Sequence, residues 1–161
     1  MSRIGPADLP AELPVKNNLV RATYNNPDMH RGFASLSGRV HSASHLPDRT
    51  REVVVLAVVG QMKAHYEWQQ HEPAARRAGV SEAELAGLRS GSIEVLHGSE
   101  RAAAALAMAV DRGAVDDATW ADARQYFSEV ELSDLVLLAA FYGLASRYVL
   151  ALDIDLEAEP T

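Results

Sequence analysis

Residues 51–71 read REVVVLAVVGQMKAHYEWQQH, and one carboxylate, Glu52, precedes an unbroken apolar run from Val53 to Val59. His65, Tyr66, Glu67, Trp68 and His71 follow that run. Glu67 and His71 are four apart, so on a helix they share one face. A histidine exchanges protons near neutral pH, and a carboxylate held against an apolar wall can have its pKa raised toward the same range. These residue types beside a buried wall suit acid–base chemistry. Glu52, Glu67 and His71 are therefore the candidate catalytic residues. Tyr66 can offer a phenol to a bound carbonyl, and His65 next to it is a second candidate substrate contact.

Each candidate has a plainer reading. Glu52 in the first turn of a helix favours the positive end of the dipole. A Glu67–His71 pair on a surface is worth only roughly 0.2–0.5 kcal/mol. Trp68 reads as core or subunit interface, and Tyr142, His30, His41, His45 and His97 read as structural. A metal set could be drawn from Glu67, His71 and either Glu52 or His65. The spacing is not that of a His-Glu-x-x-His helix, so no metal is expected.

The elements that must position these residues are helical. Prolines 6, 10 and 14 make residues 1–15 an extended arm. Asn17 or Asn18 can cap a short helix that Asn25-Asn26-Pro27 ends, and Pro27-Asp28 opens a second, running to about Ser44. Asp48 to about Lys63 is the most hydrophobic segment. Its apolar run alone would also fit a buried strand, but its length and the lack of a hairpin partner favour a helix. Gly60 marks close packing or a bend before a helix from about Ala64 to Ala78, with Gly79 as its cap. Ser81-Glu82-Ala83-Glu84 and Ser128-Glu129-Val130-Glu131 are capping boxes that open two further helices. Between them lie an alanine-rich helix, 100–111, stopped by Gly113, and one starting at Asp116 or Asp117 that crosses Trp120, Ala123 and Phe127. The acidic tail should fray. The expectation is a single all-α domain, with an arm and short helix at 1–27, a helical domain at 28–155 and an acidic tail at 156–161.

Composition narrows the function. The chain has 161 residues, no cysteine and a net charge of −7. Thiolate nucleophiles, disulfides and Cys-ligated metal sites are excluded. The negative balance, with no basic stripe, argues against a nucleic-acid partner. No apolar run reaches the ~20 residues of a membrane span and no signal core opens the chain, so a cytoplasmic protein without a membrane partner is expected.

Three segments resemble the carboxymuconolactone decarboxylase family and its alkylhydroperoxidase-D-like superfamily. They are Arg51-Glu52, then Tyr66-Glu67-Trp68-Gln69-Gln70-His71, then residues 75–84, ARRAGVSEAE. The final helix, from Leu132 to Tyr142, is similar too, and the likeness spans roughly residues 30–155. It implies an alkylhydroperoxidase-D-like helical bundle that forms dimers, trimers or hexamers. In the peroxidase branch a glutamate precedes a Cys-x-x-Cys pair and a histidine follows the second cysteine by four. Those positions fall on Glu52, Ala64, Glu67 and His71, so both thiols are missing and disulfide-cycling peroxidase activity is excluded. The decarboxylase branch uses no metal or organic cofactor and acts on small cyclic acids and lactones. The resemblance therefore implies a cofactor-independent lyase working by acid–base chemistry on a small carboxylic acid, lactone or carbonyl compound. Its alternatives are hydrolysis, isomerisation or cyclisation of a similar substrate, or a non-catalytic binding or scaffolding subunit.

Overall fold

The run Val53–Val59 is helical, and the molecule is built around it. In the computed structural model, which describes residues 1–158, eight helices and no strand are present among the described residues. The run lies in α3 (Asp48–Gln61), where Glu52 and every residue from Val53 to Gly60 are buried. A helix that is apolar all round has no solvent face and must be covered on every side. Here α4 (His65–Arg77), α5 (Glu82–Arg89), α6 (Gly98–Arg112) and α8 (Glu129–Leu152) pack around it. α2 (Pro27–Ser42) packs on α8 and carries α1 (Asn18–Thr23), and α7 (Asp117–Ala123) packs on α6.

The boundaries follow local chemistry. Asn17 and Asn26 accept from the backbone N–H groups of Val20 and Met29 and so cap α1 and α2. Ser81 and Ser128 form complete capping boxes with Glu84 and Glu131. At the end of α4 Gly79 has φ +89, Val80 N–H donates to Ala75 C=O and Gly79 N–H to Arg76 C=O. That pairing is a Schellman stop, with glycine supplying the left-handed residue. The same pairing ends α3, but Lys63 (φ 56) holds the left-handed position.

Two expectations need correction. α7 ends at Ala123, and Phe127 lies beyond it, immediately before the cap of α8. The tail is held rather than frayed as far as it is described. The Glu157 carboxylate accepts from Asn18 N–H at 2.7 Å and from the Tyr66 hydroxyl at 2.6 Å, and Asp155 meets the chain's amino terminus at 2.8 Å. Residues 159–161 of that tail lie outside the described residues.

By length and composition α8 is apolar enough to cross a membrane, although no apolar run suggested one. Half of its most apolar window is buried, with Leu132, Leu135, Leu138 and Ala139 in the core. Those side chains turn inward onto the bundle that also contains α3 and α6.

Gly60 marks close packing without a bend, because α3 continues through it. A Cβ there would sit 2.0 Å from the Leu88 carbonyl oxygen of α5. Gly60→Ala should therefore destabilise the protein by about 1–3 kcal/mol or more, read as a lower Tm or denaturation midpoint.

Candidate functional site

Glu52 sits in the second turn of the core helix and is only 6% exposed. An ionised carboxylate at that depth is costly unless something pairs with it. The tight turn at Lys63 sends α4 back alongside α3, and this brings His71 to Glu52 across 19 residues of sequence. His71 Nδ1 lies 3.1 Å from Glu52 Oε2.

The contact continues outward. His71 Nε2 lies 2.8 Å from the Tyr142 hydroxyl on α8. The same hydroxyl lies 2.6 Å from Nε2 of His41 on α2. The two imidazoles stack with centroids 5.7 Å apart and planes 15° apart, and Tyr142 meets both edge-on. Glu52, His71, Tyr142 and His41 thus form one hydrogen-bonded line, with one residue from each of four helices.

Proton counting orients this line. When Glu52 is ionised it only accepts, so His71 donates from Nδ1 and its Nε2 carries a lone pair. Tyr142 has a single proton, which it gives to His71 Nε2. Its oxygen then accepts from the N–H at His41 Nε2. His41 Nδ1, which has no partner among the described residues, is left as the accepting end of the line. A proton taken up at His41 Nδ1 can shift each hydrogen by one position and reappear on His71, whose imidazolium the Glu52 carboxylate balances.

The surroundings keep the other members neutral. Burial, then the neighbouring His71, holds the pKa of His41 below the ordinary histidine value. Burial, then the carboxylates of Glu67 and Glu52, pushes the Tyr142 phenol well up. Glu67 is 3% exposed with Oε1 unpartnered. Burial raises its pKa, and the attraction of His71 opposes this only in part.

Glu52 and His71 are thus brought together, and Glu67 lies close enough to feel His71. Tyr66 and His65 are not part of the line. The Tyr66 hydroxyl donates to Glu157 and accepts from Leu19 N–H at 3.1 Å, so it ties down the arm and tail. His65 is exposed on the outer surface. His41 and Tyr142, which sequence alone assigns to structure, are integral to the cluster. One signal for Tyr142 is present in the sequence: a hydroxyl within an otherwise apolar stripe needs a polar partner. His41 offers none, because its contact spans 101 residues. Among the described residues no three His, Asp or Glu side chains converge on a point where a metal could sit.

A family model for the carboxymuconolactone decarboxylase family matches residues 27–111, more than half of the 161-residue chain. The chain belongs to that family. The matched segment contains His41, Glu52, Glu67 and His71, whereas Tyr142 lies beyond it. No curated protein matches the chain. Among solved structures it is similar to an uncharacterized peroxidase-related protein from Silicibacter sp. TM1040, at TM-score 0.78 and 18% identity over 88% of this chain and 76% of that one. It is also similar to a putative antioxidant defence protein AhpD of unknown function from Agrobacterium tumefaciens, at 0.77 and 19% over 86% and 97%. A third is a cysteine-to-alanine variant of the debrominase Bmp8 in complex with 2,3,4-tribromopyrrole, at 0.76 and 21% over 91% and 80%. At such identities the likeness shows the alkylhydroperoxidase-D-like fold.

Glu67 makes stability depend on pH. Its raised pKa means that the folded chain holds this proton more tightly than the unfolded chain does. Stability therefore falls as pH rises from the unfolded carboxylate pKa to the folded one, by at most about 1.4 kcal/mol per pH unit. His41 acts oppositely: with its pKa lowered, stability falls as pH drops below 6.5. Glu67→Gln should accordingly match wild type in Tm near about pH 4 and exceed it increasingly toward about pH 7, where His41 is neutral in both.

Proposed function

We propose that this protein is an enzyme that moves protons on a small carbonyl, lactone or carboxylic acid compound, using its own side chains and no cofactor. The observation that carries this reading is the unbroken line from Glu52 through His71 and Tyr142 to His41. A structural role for Glu52 needs one donor, and His71 alone would supply it. Two further groups, each kept neutral and each able both to give and to accept a proton, exceed that need. Such a line can take a proton from carbon beside a carbonyl or return one to an enolate. His71 stores the proton in this reading and Glu52 stabilises the resulting charge. Glu67, whose pKa burial raises, is a second carboxyl group beside it. The lyase reaction of the decarboxylase branch is one member of this class, and hydrolysis, isomerisation and cyclisation are others.

A non-catalytic binding subunit is the second reading, and one observation favours it. Five surface cavities of about 130–590 Å³ are lined by other residues, and neither Glu52 nor His71 opens into them. Self-association bears on this, since a second subunit could enclose a site that one chain leaves shallow. Met29, Leu36, Leu137 and Leu144 are exposed on α2 and α8, and apolar faces of this kind commonly pair with themselves. We propose a homo-oligomer. Light scattering should give a mass of two or more chains, and Leu144→Lys should lower it; a monomer at high concentration would remove the proposal.

Small carboxylic acids, lactones and β-keto acids would be screened by thermal shift and product analysis. His71→Ala and Tyr142→Phe should each lower turnover by ~10²-fold or more. A ligand at one hundred times its Kd should stabilise wild type by about 2.7 kcal/mol. Turnover unchanged in Tyr142→Phe would reject the proton line. Binding without any product would favour the binding subunit.

A further inference from the structure

A cleft of about 410 Å³ lies between residues 13–20, where the arm runs into α1, and α2. Clefts of ~300–1,000 Å³ suit small-molecule ligands. Ser37 and Gly38 of α2 line one end. His30 and Thr23 line the other end. Tyr66 holds the arm in place by accepting from Leu19 N–H while donating to Glu157. This gives the buried phenol a positioning role.

We propose that this cleft is a ligand cavity distinct from the proton line, and that it takes an uncharged, ring-sized molecule bearing one hydroxyl or N–H donor. Two observations set the ligand class. First, the lining contains no Asp, Glu, Lys or Arg, and its walls include Leu13, Val15, Leu19, Val20 and Phe33. A carboxylate entering there would lose water without meeting a cation. Second, His30 is 7% exposed and its Nε2 has no partner among the described residues. Thr23 spends its one hydroxyl proton on the Leu19 and Val20 carbonyls, at 2.9 and 3.1 Å. It therefore accepts from His30 Nδ1–H at 2.9 Å, and His30 Nε2 is a lone pair awaiting a donor. A wider cavity of about 590 Å³ shares Thr23, His30 and Phe33 but opens between exposed Met29 and Leu144. It suits the subunit contact better.

Three probes of one shape test this: 4-ethylphenol, 4-ethylanisole without the donor, and 4-ethylbenzoate with a charge. Binding would be measured by calorimetry and by histidine-ring NMR on the full chain. Wild type and Tyr142→Phe should bind 4-ethylphenol alike, with the His30 resonances shifting, and should bind the anisole and the benzoate at least about tenfold more weakly. His30→Phe should erase the preference for phenol over anisole. Gly38→Leu fills the cleft, and since a Cβ at Gly38 meets nothing within 4 Å the helix should keep its fold. It should weaken phenol binding at least about tenfold. Equal binding in Gly38→Leu and wild type, a preference for the benzoate, or no binding of the phenol would each overturn the proposal. Binding that survives while Tyr142→Phe leaves turnover unchanged would sink the proton line and leave the cavity standing.

Discussion

Glu52 is a buried carboxylate at the head of an apolar run of valine, leucine and alanine, and the architecture answers to it. Burying that charge unpaired would cost several kcal/mol. The partner arrives from another helix, because the following turns of α3 are apolar and the preceding Arg49 and Arg51 pair with Glu84, Glu100 and Asp48. α4 can supply His71 only if the chain reverses within a few residues, and the left-handed Lys63 between the two helices makes that reversal. A non-glycine residue there costs roughly 1–2 kcal/mol. His71 in turn needs its second nitrogen satisfied, which is where α8 enters through Tyr142 and α2 through His41. One buried acid thus sets the relative placement of four helices.

The same burial separates the charge states of the cluster. Glu67 is pushed toward its neutral acid, His41 toward its neutral base and Tyr142 toward its neutral phenol, in each case chiefly by loss of water. Only the Glu52–His71 contact has the geometry to hold opposite charges. A pair of carboxyl groups whose environments differ in this way can act as base and acid at one pH. In water the two glutamates would be equivalent. Here one accepts from an imidazole and the other has an oxygen with no partner at all.

Much of this was legible in the sequence, and the reasons are local. Asn17, Ser81 and Ser128 announce their helices through caps that depend on a few adjacent residues. The all-α class follows from such signals together with polar flanks that extend the apolar run to helix length and the lack of a hairpin partner. Glu52 and His71 were legible through spacing and family likeness, since the turn joining α3 and α4 is short. His41 and Tyr142 were not, because their contact depends on how α2 and α8 dock, and docking is a property of the whole core. The tail shows the same limit. Its charge suggests fraying, yet Glu157 finds the open N–H of Asn18 at the start of α1. Composition does not reveal which helix end lies within reach.

The two positions where the peroxidase branch carries thiols show what replaced that chemistry. Ala64 is the N-cap of α4 and Glu67 stands in its first turn. A helix N-terminus stabilises a thiolate, so a cysteine there would be activated. The dipole should likewise favour an ionised Glu67, by about 0.3–1 kcal/mol. Burial opposes it with a penalty of several kcal/mol per ion, and the net shift is upward. Desolvation therefore overrides the dipole. Ala64 is fully packed and offers no reactive atom. The position therefore holds a carboxyl group pushed toward its neutral form near a histidine, which is the arrangement the proton-transfer proposal draws on.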